Sequence, residues 1–98
     1  MTKKRILIVE DERIIAEDLR ITLESFGYEV IDMISSGENA IKKAGETLPD
    51  LILMDMVLEG EMRGSEAAEI IHRKFGTPII FLTAYADENT LDMAKASN

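Results

Sequence analysis

The sequence predicts an α/β domain, an open parallel β-sheet with helices on both faces. Strand-like and helix-like patterns alternate four times along the 98 residues, and consecutive parallel strands need such helical crossovers. Residues 6–9 and 51–54 are continuous apolar runs, as in strands that are buried on both faces. The chain is short and 46% hydrophobic, which predicts a single domain around one core.

The four strands are predicted where short apolar runs stand between turn residues, at residues 6–9, 29–34, 51–54 and 78–82. Four apolar residues recur at helical spacing after the first strand and predict one buried helix face: Ile15, Leu19, Leu23 and Phe26. Gly27 is expected to end this helix, since glycine commonly follows the last helical turn.

The other three helices are predicted from their end signals. Ser35 and Glu38 have the spacing of a capping box and begin the second helix. The third helix is predicted from Gly64 to Gly76, and a fourth from residue 88 towards residue 95. A fourth helix in this architecture leads into a fifth strand. The sequence therefore leaves two possibilities open, a four-stranded fold or a domain that is incomplete at its C-terminus.

The composition excludes several classes of function. Nineteen acidic and eleven basic side chains give a net charge of −8, which disfavours binding to nucleic acids or to an anionic membrane surface. The absence of cysteine excludes disulfides, thiolate catalysis and cysteine zinc sites, and His72 alone cannot form a histidine metal cluster. No apolar run approaches the ~20 residues of a membrane-spanning helix, and no signal peptide is evident. We therefore expect a cytoplasmic protein.

Polar side chains follow three of the predicted strands at the point where each strand ends. Glu10, Asp11 and Glu12 come directly after the first strand, Asp55 after the third and Thr83 after the fourth. Ligands of open parallel sheets bind beyond the carboxyl ends of the strands. We therefore expect Asp11 and Asp55 to converge if their strands are neighbours in the sheet.

Carboxylates that are crowded against apolar strands repel one another and lose hydration, and a divalent cation relieves both costs. Mg²⁺ prefers oxygen ligands and keeps several waters, so two carboxylates and one backbone carbonyl suffice. With such an ion, Asp55 could act as a nucleophile towards a phosphoryl group, and the Thr83 hydroxyl could bond to it. Taken singly, these residues have ordinary explanations as helix caps, turn residues or strand ends. Their position at one end of one sheet favours a site.

Three segments, ILIVEDE, LILMDMVLEG and PIIFLTA, together resemble the receiver domain of two-component response regulators. The resemblance covers residues 1–98 as one domain and implies a flavodoxin-like (CheY-like) fold with strand order 2-1-3-4-5. It implies phosphorelay signal transduction, in which a sensor histidine kinase or a small acyl phosphate transfers a phosphoryl group to an aspartate. It further implies Mg²⁺ or Mn²⁺ as cofactor, a conformational switch that controls an output domain or protein partner, and a homodimer as a further possibility.

The position of each residue in these motifs implies its role. The implied roles are phosphoacceptor for Asp55, direct metal ligand for Asp11, metal ligand through water for Glu10, metal ligand through the backbone carbonyl for Val57, and phosphoryl switch for Thr83 and Ala84. The family also carries a lysine at the end of its fifth strand, beyond the last residue of this chain. Lys95 lies on the predicted fourth helix and is not its equivalent. The resemblance implies a phosphoacceptor rather than an enzyme, with Mg²⁺-dependent self-phosphorylation and autodephosphorylation.

Alternatives from other classes remain open at this point. The first is a receiver-like interaction or dimerisation module that is not phosphorylated. The second is a phosphotransferase or phosphatase of similar topology, but Val57 stands where that class needs a second acid. The third is a nucleotide-binding module, but the first strand is followed by acidic residues instead of a glycine-rich turn.

Overall fold

The computed structural model describes residues 3–58 and 60–82. Strands and helices alternate through this part of the chain: β1 (Arg5–Val9), α1 (Arg13–Ser25), β2 (Glu29–Ile34), α2 (Gly37–Thr47), β3 (Leu51–Asp55), α3 (Gly64–Phe75) and β4 (Ile79–Leu82). All neighbouring strands pair in parallel, in the order β2-β1-β3-β4. This confirms the predicted fold class and the order of the first four strands.

The sheet is covered on both faces because side chains alternate along each strand. Leu7, Val9, Ile52 and Met54 point to one face and pack with α2 and α3. Ile6, Ile8 and Leu53 point to the other face and pack with α1. The central strands β1 and β3 are therefore buried on both sides, which explains why their sequences are continuous apolar runs.

The first helix differs from the prediction at its end. Leu19 and Leu23 pack against the sheet, as expected. Phe26 does not, since it follows the last helical residue, Ser25, and its side chain is 74% exposed. The prediction that Phe26 belongs to the buried face is wrong, because the chain leaves helical geometry at Phe26 and reverses at Gly27, where φ is +93°.

The second helix begins one residue later than the capping-box pattern predicts. Ser36, not Ser35, is the N-cap, and its hydroxyl oxygen accepts a hydrogen bond from the Asn39 amide at 3.3 Å. The position three residues after the true cap is Asn39, so the expected pairing of Ser35 with Glu38 does not form. Two consecutive serines offer two caps, and the structure uses the second.

The third helix has the predicted bounds. It begins at Gly64, where the Arg63 amide donates to the Glu66 carboxyl at 3.3 Å, and it ends before Gly76. The predicted fourth helix, Thr83, Ala84 and Lys95 lie outside the described residues. Within residues 3–58 and 60–82 we find no helix long and apolar enough to cross a membrane.

Candidate functional site

Three carboxyl groups meet at the carboxyl end of the two central strands. Val9 pairs with Met54, so the residues that follow them, Glu10 and Asp55, lie side by side at the same edge of the sheet. Asp11 comes next along the chain. One carboxylate oxygen of each of the three residues lies within 4.8 Å of the others. The structure therefore brings together Asp11 and Asp55, as predicted for neighbouring strands, and places Glu10 beside them.

The three groups differ in their exposure to water. Glu10 is 4% exposed and Asp55 is 5% exposed, while Asp11 is exposed. The backbone fixes Glu10, because its amide donates to the carbonyl oxygen of Ile34 on β2 at 2.9 Å. The site thus has two buried acids at its base and one exposed acid at its opening.

Backbone amides hold the two buried carboxyl groups. The Glu12 amide donates to Oε1 of Glu10 at 3.2 Å, and the Val57 amide donates to Oδ1 of Asp55 at 3.3 Å. Both donors lie two residues after the acid that they contact, in the turn that follows each strand. Such local hydrogen bonds orient the carboxyl groups without neutralising them.

Burial beside two other acids raises the pKa of Glu10 to about 7. Burial is the largest cause, because the ionised form loses hydration. Hydrogen bonding to Asp55 and the negative charges of Asp55 and Asp11 act in the same direction, and the Glu12 amide acts against them. The site therefore holds more negative charge than its surroundings stabilise.

The donor set fits a hard divalent cation. Three carboxylates provide only oxygen ligands, which Mg²⁺ and Mn²⁺ prefer, and their mutual repulsion is what a cation would remove. An open pocket of about 270 Å³ adjoins Glu10 and Asp11 and has room for an ion with its waters. It is lined by Glu10, Asp11, Arg13, Ala16, Met33 and Ser35.

The remaining predicted residues are only partly described. Val57 is exposed in the turn after β3, and its amide contacts Asp55, while its carbonyl is the predicted metal ligand. Leu82, the last described residue, pairs with Asp55 across β3 and β4. Thr83 and Ala84 follow it and lie outside the described residues, so their switch roles stay predictions.

One residue that touches the site has no functional signal in the sequence. Gly64 is buried at the start of α3 and lies directly against the backbone of Asp55. The sequence marks Gly64 only as the beginning of a helix. Its contact with Asp55 depends on how the loop over residues 56–63 folds back, which no local pattern encodes.

With this geometry established, comparison with known proteins identifies the class. The family model of the response regulator receiver domain matches residues 6–97. This chain belongs to that family, whose members act in phosphorelay signal transduction. Receiver domains of this family bind Mg²⁺ at an acidic pocket and interact with histidine kinases and with output domains. The comparison therefore favours the phosphorelay interpretation over the unphosphorylated interaction module.

Individual relatives agree with this assignment. The chain is 38% identical over 88 residues to the transcriptional regulatory protein YdfI of Bacillus subtilis, covering 89% of this chain and 41% of that protein. It is 36% identical over 85 residues to the DNA-binding response regulator MtrA of Mycobacterium tuberculosis, covering 87% of this chain and 36% of that protein. The chain thus spans about two fifths of the length of these curated relatives.

Solved structures show the same fold. The signal receiver domain of a modulated diguanylate cyclase from Desulfovibrio desulfuricans superimposes with a TM-score of 0.81 at 40% identity, over 97% of this chain and 75% of that one. The N-terminal domain of a response regulator/sensory box/GGDEF protein from Carboxydothermus hydrogenoformans gives 0.80 at 35% identity, over 95% of this chain and 74% of that one.

Proposed function

We propose that this receiver domain accepts a phosphoryl group on Asp55 from the phosphohistidine of a sensor histidine kinase, in a reaction that depends on Mg²⁺ or Mn²⁺. The observation that supports it best is the position of Asp55. Its carboxyl group is buried at the end of β3, within 4.8 Å of the carboxyl groups of Glu10 and Asp11. An isolated turn aspartate would not be placed among two further acids.

The transfer is a nucleophilic substitution at phosphorus. The Val57 amide holds Oδ1 of Asp55, and an oxygen of this carboxylate attacks the phosphorus. A bond forms between that oxygen and phosphorus, and the bond between phosphorus and the donor imidazole nitrogen breaks. The electron pair of the broken bond and a proton from solvent go to the imidazole. The result is an aspartyl phosphate and a neutral histidine on the kinase.

The acidic pocket prepares Asp55 for this reaction. Asp11, Asp55 and the Val57 carbonyl would hold the divalent ion directly, and Glu10 would hold it through water. When bound, the ion would offset the negative charge that builds up on the transferred phosphoryl group. Glu10 and Asp11 keep this ion beside the nucleophile, since their carboxyl groups lie within 4.8 Å of that of Asp55.

The family resemblance supplies the remaining parts of the proposal. Thr83 would bond to the phosphoryl oxygens, and Ala84 would leave room for them. The added phosphate carries roughly −1.5 to −2 charges and strong hydrogen-bond acceptors, which can bias a loop between two conformations. The change would control an output domain or protein partner in the cytoplasm. Self-phosphorylation by small acyl phosphates and autodephosphorylation belong to the same proposal.

Labelling with acetyl phosphate tests the proposal. In the presence of Mg²⁺, the wild-type protein should gain the mass of one phosphoryl group, and chelation of the metal should prevent it. Asp55→Asn should remain unlabelled, because an amide is a poor nucleophile. The matched control is Asp18→Asn, which removes an exposed acid on α1 and should leave labelling unchanged.

Two outcomes would contradict the proposal. Labelling of Asp55→Asn to the wild-type extent would place the acceptor elsewhere. A wild-type protein that is folded but not labelled, with either acetyl phosphate or a phosphorylated histidine kinase domain, would favour the interaction module instead.

A further inference from the structure

The contact between Gly64 and Asp55 is a close approach of two backbones. A Cβ atom on Gly64 would lie 1.9 Å from the carbonyl oxygen of Asp55 and 2.9 Å from its carbonyl carbon. It would also lie 2.9 Å from Cα of Met56. The Gly64 amide donates a hydrogen bond to the Met56 carbonyl oxygen at 2.9 Å, which holds the two backbone segments together. The first turn of α3 therefore packs directly on the end of β3.

Backbone conformation does not explain the glycine at this position. Gly27, Gly60 and Gly76 have positive φ angles, where glycine is favoured, but Gly64 does not. Glycine is also about 1 kcal/mol less favourable than alanine within a helix. What Gly64 provides is the absence of a side chain at a place where no side chain fits.

Gly37 gives a direct comparison, since it is the first residue of α2 and is also buried. The three atoms nearest to a Cβ on Gly37 would all belong to side chains, Cγ and Sδ of Met62 at 2.9 and 3.0 Å and Cβ of Ala67 at 3.2 Å. A methionine side chain is flexible and can move aside. The Asp55 carbonyl cannot, because it is part of the strand that carries the proposed phosphoacceptor.

We propose that Gly64 is a positioning residue for Asp55, an inference that rests on the function proposed above. The backbone contact between the start of α3 and the last residue of β3 fixes the direction in which the Asp55 side chain leaves the strand. It also fixes the turn that presents the Val57 amide to Oδ1 of Asp55 at 3.3 Å. A side chain at residue 64 must push the Asp55 carbonyl away by roughly 1 Å, and a misplacement of this size can lower a reaction rate ~10²-fold.

The test compares Gly64→Ala with Gly37→Ala. The rate of acetyl phosphate labelling is measured at saturating Mg²⁺ over a range of donor concentrations and divided by the folded fraction from urea unfolding. We expect Gly64→Ala to lower the maximal rate roughly 10- to 100-fold. The donor concentration for half-maximal rate should change little, since the residue does not bind the donor. Gly37→Ala should keep its maximal rate within about two-fold, because only side chains must adjust.

The outcomes separate this inference from the proposed function. Equal maximal rates per folded molecule for the two variants would overturn the role of Gly64 and leave Asp55 as acceptor. An unlabelled wild-type protein would overturn the proposed function itself.

A measurement on the wild-type protein covers the case in which Gly64→Ala does not fold. The amide and Hα resonances of Gly64 should shift when acetyl phosphate and Mg²⁺ modify Asp55, because the two residues are in backbone contact. The amide of Gly37 is the control and should shift much less. Unchanged Gly64 resonances beside shifted Val57 resonances would overturn the inference.

Discussion

The carboxyl groups of Glu10 and Asp55 lie within 4.8 Å of each other at the ends of neighbouring strands, and both are buried. Burial, the hydrogen bond to Asp55 and the nearby negative charges raise the pKa of Glu10 to about 7. Near neutral pH without metal, Glu10 is therefore protonated for part of the time. The burial of Glu10 and its repulsion by Asp55 affect the stability of the fold and the binding of metal.

The first prediction concerns pH and stability in the absence of metal. The pKa of Glu10 is about 7 in the folded protein and near 4.5 in the unfolded chain, so the folded state binds more protons between these values. The contribution of Glu10 to the free energy of unfolding is therefore fully present below pH 4.5. It falls as the pH rises to 7, by about 3 kcal/mol. Urea unfolding between pH 4.5 and 7, with a chelator present, measures this decrease in the free energy of unfolding.

Glu10→Gln is the matched variant, because it keeps the shape and hydrogen bonds of the side chain but does not titrate. The difference in unfolding free energy between wild type and Glu10→Gln should decline between pH 4.5 and 7. Titrating groups that do not interact with Glu10 cancel in this difference. A difference that stays constant over the range, or that grows, would show that Glu10 ionises normally in the folded protein.

The second prediction concerns stabilisation by metal. An ion that binds only the folded state raises the free energy of unfolding, by about 2.7 kcal/mol at 100 times its dissociation constant. Mg²⁺ should therefore raise the unfolding midpoint of the wild type. Asp11→Asn removes one proposed charged ligand. It should weaken the affinity for Mg²⁺ at least ~10-fold, since this affinity depends on the number of charged ligands. Asp18→Asn, which removes an exposed acid of α1, should respond like the wild type. Equal responses of the two variants would argue against Asp11 as a ligand.

The convergence of Asp11 and Asp55 was predictable because strands buried on both faces have a clear sequence signal. Each apolar run ends abruptly at an acid, and parallel strands bring their ends to the same edge. The contact of Gly64 with Asp55 was not predictable in the same way, since it depends on the path of a loop between them. The choice of Ser36 over Ser35 as N-cap was not predictable from the pattern either, since either serine can accept a hydrogen bond from a helix amide. Local patterns therefore locate the acids but not the backbone that supports them.

The third prediction follows from the exposure of Phe26. Helical spacing alone assigns Phe26 to the buried face, but the helix ends at Ser25 and the ring is 74% exposed. Phe26→Ala should change the free energy of unfolding by less than about 0.5 kcal/mol. Ile71→Ala, which empties a fully buried position on α3, should cost about 2–5 kcal/mol. Urea unfolding of both variants measures these changes. A loss of more than about 2 kcal/mol in the free energy of unfolding for Phe26→Ala would mean that the ring is buried in solution.

The fourth prediction concerns Leu48, which caps the C-terminus of α2 in the left-handed conformation with φ of 47°. Side chains with a Cβ adopt this conformation at a cost of roughly 1–2 kcal/mol, whereas glycine adopts it freely. The Leu48 side chain is 60% exposed and contributes little burial to offset that cost. A hydrogen bond stabilises this cap, since the Leu48 amide donates to the Ala44 carbonyl oxygen at 2.9 Å.

Leu48→Gly should therefore raise the free energy of unfolding by about 0.5–1 kcal/mol, after allowance for the greater freedom of glycine in the unfolded chain. Leu48→Ala is the control, since it removes the same exposed side chain but keeps Cβ and the strained φ. It should be slightly less stable than the wild type. Acetyl phosphate labelling should not change in either variant, because the cap lies at the opposite end of the sheet from Asp55. If Leu48→Gly is no more stable than Leu48→Ala in urea unfolding, the left-handed cap carries no strain that glycine relieves.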